Sequence, residues 1–480
     1  MHRMAVLRSF QMQRRHAGPK GPGKERALIF QRIESEGLAH WSYILGSGST
    51  AAVVDPRRDY GVYLDIARRA GMRIEHVLET HRNEDYVIGS TALAAAAGAR
   101  VWHADAELDY AYGDAVEEGQ TWKVGDFEIE AVFTPGHTPG SMSYLVRDPD
   151  GNPWICFTGD ALFAGDVGRT DLMGMDRAEE MAGMLYDSIF RRLLPLGDGV
   201  VACPAHGSGS VCGSGISERL WTTMGLEREH NPMLRHTERD AFIEAAAVEL
   251  ERPPYFREME RLNLQGAPSV EPLPLPPALS PAEFEDAAEG AFVLDTRMEL
   301  GFGSAHVPGA QSIWKGGLAS FAGWLLPYDR PILLVTEEED PSDAVRILVR
   351  LGYDRFAGTL AGGMLSWHTS GRDSASIETV TVQQLCGKLD AGDDLQVLDV
   401  RSDEERDSAG SIPDALNIHL TMLPERAGEI PDDRLVLVFC GSGLRSMAAA
   451  SWLASRGHDN LGVVLGGLSG WVSGSCRLEL

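Results

Sequence analysis

The chain has 480 residues, 44% hydrophobic and 24% charged, enough to bury several cores, and 70 acidic against 43 basic side chains leave a formal net charge of −27. That charge repels phosphate backbones and anionic lipid headgroups, which argues against a nucleic-acid partner, and no apolar run reaches membrane-spanning length. Six cysteines at irregular spacing (Cys156, Cys203, Cys212, Cys386, Cys440, Cys476) suit neither a disulfide framework nor a zinc ribbon, so a reducing, cytoplasmic setting is expected.

In chain order, residues 1–26 read as a flexible basic tail without a hydrophobic signal core. From 27 to 250, β-type runs such as AAVVD, RIEHVLET, FEIEAVFTPG and PWICFTGD alternate with helical runs such as YLDIARRAG and RAEEMAGMLYDSIFRRLL. This pattern predicts a layered α/β domain. Residues 251–280 are dense in proline and predict an extended connector outside any core. Two self-similar units follow over 281–375 and 376–476, about 104 residues apart: FVLDTRMELGFGSAHVPGAQSI answers to QVLDVRSDEERDSAGSIPDALNI, and LAGGMLSWHTSG to LGGLSGWVSG. Each has a strand ending in Asp-x-Arg, a second apolar strand, a helix and a closing Gly-Gly-x-x-x-Trp, so two α/β modules are expected.

The chemistry of the first domain gathers where β-type runs stop. VLET leads to His81, TPGHTPG carries His137 between Pro-Gly pairs, CFTGD ends at Asp160, and CPAHGSGS presents His206. Loops at strand ends can converge on one site, and the tight backbone around His137 is costly unless the position of its imidazole matters. His76, His103, His230 and His236 have no such setting and read as structural.

These residues resemble the metallo-β-lactamase superfamily and, within it, the persulfide dioxygenases, which implies an αββα sandwich. The superfamily motif His-x-His-x-Asp-His stands here as HRNED followed by Tyr86: His81 and Asp85 match, whereas Asn83 and Tyr86 replace histidines. Losing one ligand from each of two metal sites argues against dinuclear hydrolysis. The resemblance implies a single Fe(II) held by His81, His137 and Asp160, with open positions for a persulfide and O2. Asp85 and His206 would then be supporting residues or vestiges of a second metal site. Arg169, in the run Gly-Arg-Thr-Asp, is expected to engage a substrate carboxylate. PAHGSGS lacks the aromatic contact that glutathione-using members carry after this histidine, so the thiol, of glutathione or coenzyme A type, stays open. A zinc hydrolase using Asp85, Asp160 and His206, or a metal-free sulfur carrier, are the alternatives.

In the last module LVLVFCGSGLRSMAAASWLASRG reads as a buried strand, Cys440, a loop of Gly441, Ser442, Gly443 and Leu444, Arg445 and a helix. Inward loop amides at a helix start favour a thiolate and hold an anion. The module resembles rhodanese, which implies that Cys440 accepts sulfane sulfur from thiosulfate and releases sulfite, with Asp399 and Arg401 as a structural charged pair. In the preceding copy Glu337 is expected at the thiol position, amid acids, which makes that copy catalytically silent. The oligomeric state stays open, a homo-oligomer included.

Overall fold

The structure, a computed structural model, describes residues 27–213 and 215–473; the tail expected over 1–26 and Cys476 lie outside them. The chain divides into two compact units, the first reaching to Arg252 and including Arg257–Glu271, the second comprising Pro253–Phe256 and the chain from Pro272.

The first unit is built on two six-stranded sheets, each following sequence order, one from Leu28–Ser35 to Asp114–Ala115 and the other from Thr121–Val124 to Thr222–Thr223. Strand His40–Ser47 is buried along its whole length, which explains its lack of polar alternation. Between the sheets Trp41, Tyr43 and Leu45 share a core with Trp122, Tyr144 and Phe157. Helices Gly61–Ala70 and Ser90–Ala97 cover one outer face, and Met175–Ser188 with Arg239–Ala246 the other. The result is the four-layer αββα arrangement, with the strand-end loops opening along one edge of both sheets.

The segment expected to be an extended connector contains a helix, Phe256–Gln265, whose Met259, Leu262 and Asn263 are buried. Prolines at 253 and 254 precede the helix, where their missing N–H groups cost nothing, so the proline density hid an amphipathic run. The Asn263 amide donates to the carbonyls of Asn83 (2.7 Å) and Tyr86 (2.8 Å) and accepts from Ile88 N–H (2.9 Å). It braces the loop that follows strand Arg73–Glu79.

The second unit holds two parallel five-stranded sheets of the same topology. One places Ile332–Val335 between Phe356–Leu360 and Phe292–Asp295; the other places Leu435–Phe439 between Leu461–Leu465 and Leu395–Asp399. The copies lock together where Gln311 Nε2 donates to Ala448 O (2.9 Å) and Ser451 Oγ (2.8 Å), and Ser312 N–H donates to the same hydroxyl (2.9 Å). Among the described residues no helix is long and apolar enough to cross a membrane.

Candidate functional site

In the first unit, His81 follows strand Arg73–Glu79, His137 sits between strands Phe127–Phe133 and Met142–Arg147, and Asp160 and His206 follow strands Pro153–Gly159 and Val201–Pro204. All four are at most 1% exposed. His81 Nε2 lies 3.8 Å and His137 Nε2 3.4 Å from Asp160 Oδ2, with the two rings edge to face.

Hydrogen bonds set the tautomers. Thr80 gives its hydroxyl proton to Asp55 (2.8 Å), so it can only accept from His81 Nδ1 (2.9 Å). His137 Nδ1 meets the carbonyl of Arg169 at 3.1 Å, and a carbonyl only accepts. Each Nε2 therefore presents a lone pair inward, buried and without a hydrogen-bond partner. Burial lowers both imidazoles, His81 to about 3, which keeps those lone pairs free of protons. Burial alone would raise Asp160, but the charge and hydrogen bond of His206 outweigh it and hold the carboxyl well below its usual range. Two imidazoles offering lone pairs and a carboxylate beside them are a donor set that fits a metal ion.

His206 is placed differently. Its Nδ1 meets Asp160 Oδ1 at 2.8 Å and its Nε2 meets Asp85 Oδ2 at 2.9 Å. Burial opposes its charged form, yet the two aspartates outweigh that and raise it well above the ordinary histidine value. Tyr86, which stands where the motif has histidine, stacks on His40 with ring centroids 3.7 Å apart.

Arg169 is 4% exposed and all five of its N–H groups are engaged: two on Asp171 at 2.7 Å and the others on the carbonyls of Val211, Leu250 and Glu251. It has no donor left for the substrate carboxylate expected of it; its carbonyl, as noted, orients His137.

Glu84 and Cys212 also lie among the candidate ligands, although no motif in the sequence marks them. Glu84 is 1% exposed; its Oε1 pairs with Arg82 at 2.9 Å, and its Oε2 lies 3.8 Å from His137 Nε2 without a hydrogen-bond partner. Burial pushes this carboxyl up to about 8, against the pull of Arg82. His81, Glu84 and His137 have ligand atoms within 4.8 Å of one another, as do Asp85, His206 and Cys212. The only signal in the sequence was an acid at a variable place inside the motif.

In the second unit Cys440 is 1% exposed at the end of strand Leu435–Phe439, and its sulfur accepts the Gly443 N–H at 3.1 Å. Leu468 N–H donates to Cys440 O (2.9 Å) and Gly466 N–H to Ser442 O (3.0 Å), which turns these loop carbonyls away from the sulfur. A Cβ at Gly467 would lie 2.2 Å from Cys440 O, so the closing Gly-Gly permits this approach. Arg445, in the first turn of helix Leu444–Ala454, is held by Glu405 through two 2.6 Å bonds and borders Gly441. Asp399 and Arg401 form a buried bidentate pair at 3.0 and 2.6 Å.

In the preceding copy, Asp295 pairs with Val335 across the sheet as Asp399 pairs with Phe439. Thr336, not Glu337, therefore occupies the position of Cys440. The loop before helix Ser342–Arg350 is longer, which displaced the alignment by one residue.

Comparison with known proteins agrees with this division. The metallo-beta-lactamase superfamily pattern matches residues 36–206 and the rhodanese-like domain pattern matches 280–370 and 381–474. The human mitochondrial persulfide dioxygenase ETHE1 is 27% identical over 239 residues, 48% of this chain and 84% of its own length. Hydroxyacylglutathione hydrolase GloC of Haemophilus influenzae is 26% identical over 214 residues, 40% of this chain and 91% of its own. A metallo-beta-lactamase structure from Staphylococcus aureus superposes with a TM-score of 0.62 at 27% identity, covering 70% of this chain and 98% of its own.

Proposed function

For a chain that joins a metallo-β-lactamase domain to two rhodanese-like domains, we propose an enzyme of sulfur metabolism with two linked chemistries. The first is oxidation of a low-molecular-weight persulfide, RSSH + O2 + H2O → RSH + H2SO3, dependent on one Fe(II) held by His81, His137 and Asp160. The second is sulfane transfer: thiosulfate gives its outer sulfur to the Cys440 thiolate and leaves as sulfite, and an acceptor thiolate then takes the sulfur as a persulfide. The product of the second reaction is the substrate of the first.

The observation that carries this reading is how the candidate ligands are disposed around Asp160. His81 and His137 turn buried nitrogens without hydrogen-bond partners toward Asp160, while His206 lies between two carboxylates, hydrogen-bonded through Nδ1 to Asp160 and at ion-pair distance through Nε2 from Asp85, and Asn83 and Tyr86 stand where the motif has histidines. When bound, ferrous iron supplies the redox chemistry that couples O2 to sulfur oxidation. Thr80 and the Arg169 carbonyl orient the two imidazoles, and His206 keeps Asp160 ionised. At the other site the Gly443 N–H, at the start of an eleven-residue helix, points at the Cys440 sulfur, and Arg445 beside the loop adds a cation for thiosulfate.

A zinc hydrolase is the second reading, favoured by the proximity of Asp85, His206 and Cys212. Anaerobic purification with metal quantitation, followed by O2 uptake with glutathione and coenzyme A persulfides, separates the two. One iron per chain and persulfide-dependent uptake lost in His81→Ala, His137→Ala and Asp160→Ala are expected; two zinc ions per chain, or no uptake with any persulfide, overturn the proposal.

A further inference from the structure

The geometry points to Glu84 as a fourth protein donor to the metal, joining His81, His137 and Asp160. This rests on the metal-dependent reading of the first unit. The motif's ordinary ligands do not include its position, which lies between Asn83 and Asp85.

Three observations carry the inference. Glu84 Oε2 is buried without a hydrogen-bond partner, and it lies on the same side of His137 as the inward Nε2, 3.8 Å from it. His81, Glu84 and His137 together meet the spacing of ligands around one ion. The other oxygen, Oε1, is fixed by Arg82, whose guanidinium is in turn held by Glu260 at 3.1 Å and whose N–H donates to Asp105 at 2.8 Å. One carboxylate oxygen is thus anchored and the other aimed inward, the arrangement by which surrounding hydrogen bonds orient ligating carboxylates. In this chain the loss of a histidine at position 83 is then offset by a carboxylate one residue later.

The test uses the full chain, stripped of metal and reconstituted anaerobically with Fe(II) or Co(II), with affinity read by chelator competition and coordination by the Co(II) visible spectrum. Glu84→Gln should weaken binding by about tenfold or more and shift the Co(II) bands, because the amide donates poorly to a cation. Glu84→Asp keeps the charge but withdraws the oxygen by one methylene, so it should shift the bands as well; it provides the measurement if the glutamine variant does not fold. Wild-type affinity and spectrum in Glu84→Gln, or an unshifted spectrum in a folded Glu84→Asp, overturn the assignment. If at the same time His137→Ala loses the metal, the three-ligand reading survives alone. If the wild-type chain binds neither ion, both fall.

Discussion

The two rhodanese-like copies share a sheet order and an Asp-x-Arg pair of nearly the same geometry: Arg297 Nε and Nη2 meet Asp295 at 3.0 and 2.6 Å, and Arg401 meets Asp399 at the same distances. They part after the middle strand. In the second copy four residues, Cys440 to Gly443, lead into the helix, and the loop lies against Gly467; in the first, six residues, Thr336 to Pro341, intervene and the nearest atom to a Cβ on Gly363 is Thr336 O at 3.8 Å. The charged pair thus belongs to the fold, and the chemistry belongs to a short loop that one copy has exchanged for an acidic one.

The sharpest way to break this comparison is to move the thiol. Cys440→Ser should lower thiosulfate transfer by about a thousandfold or more, because an alcohol does not carry sulfane sulfur, and Thr336→Cys in that background should restore none of it. Cyanide-dependent sulfurtransfer measures both; recovered activity would mean that the acidic loop is as competent as the glycine loop.

The shared pair should respond equally. Asp295→Asn and Asp399→Asn each leave a buried guanidinium without its counter-ion, at a cost of about 3–5 kcal/mol by urea denaturation. A much smaller loss in one copy would show that its pair is dispensable.

The glycines should divide the copies again. Alanine at Gly363 or Gly467 strains a left-handed backbone (φ 56° and 45°) at a cost of about 1–2 kcal/mol, but only at Gly467 does the methyl meet the Cys440 carbonyl. Transfer should fall by about tenfold in Gly467→Ala and stay near wild type in Gly363→Ala, a kinetic difference read at equal fold content.

The smallest effect concerns the Arg445–Glu405 pair, which the first copy lacks at its acidic loop. Hydrogen bonds from Arg445 hold the Glu405 carboxyl down at about 2, against 4.5 ordinarily. Its stabilisation is therefore present above pH 4.5 and is lost as the pH falls toward 2. Because the pair is partly exposed, melting of Glu405→Gln should differ from wild type by only about 0.5–1 kcal/mol at neutral pH, the difference vanishing in acid.

Much of this was legible in the sequence. Apolar runs ending at His81, His137, Asp160 and Cys440 marked where strands stop, because a buried strand must be apolar and its terminus is where polar chemistry can begin. What was not legible depended on distant partners. The saturation of Arg169 comes from carbonyls about 80 residues later, at Leu250 and Glu251, which no local pattern announces. Glu84 reads as a surface acid until the turn after Glu79 aims it inward and Arg82 fixes it. By sequence Glu337 aligns with Cys440 because a longer loop slides the alignment, whereas the strand register points to Thr336.

Asn263 bears on how such a unit can be inherited. The side chain that braces Asn83, Tyr86 and Ile88 lies well beyond residue 206, where the recognisable superfamily pattern ends. A gene fragment cut at 250 would encode both sheets and every proposed ligand, yet leave two loop carbonyls and an amide without their partner. Recombination breakpoints after Glu271 keep the brace with its loop, so the heritable cassette is longer than the motif that identifies it.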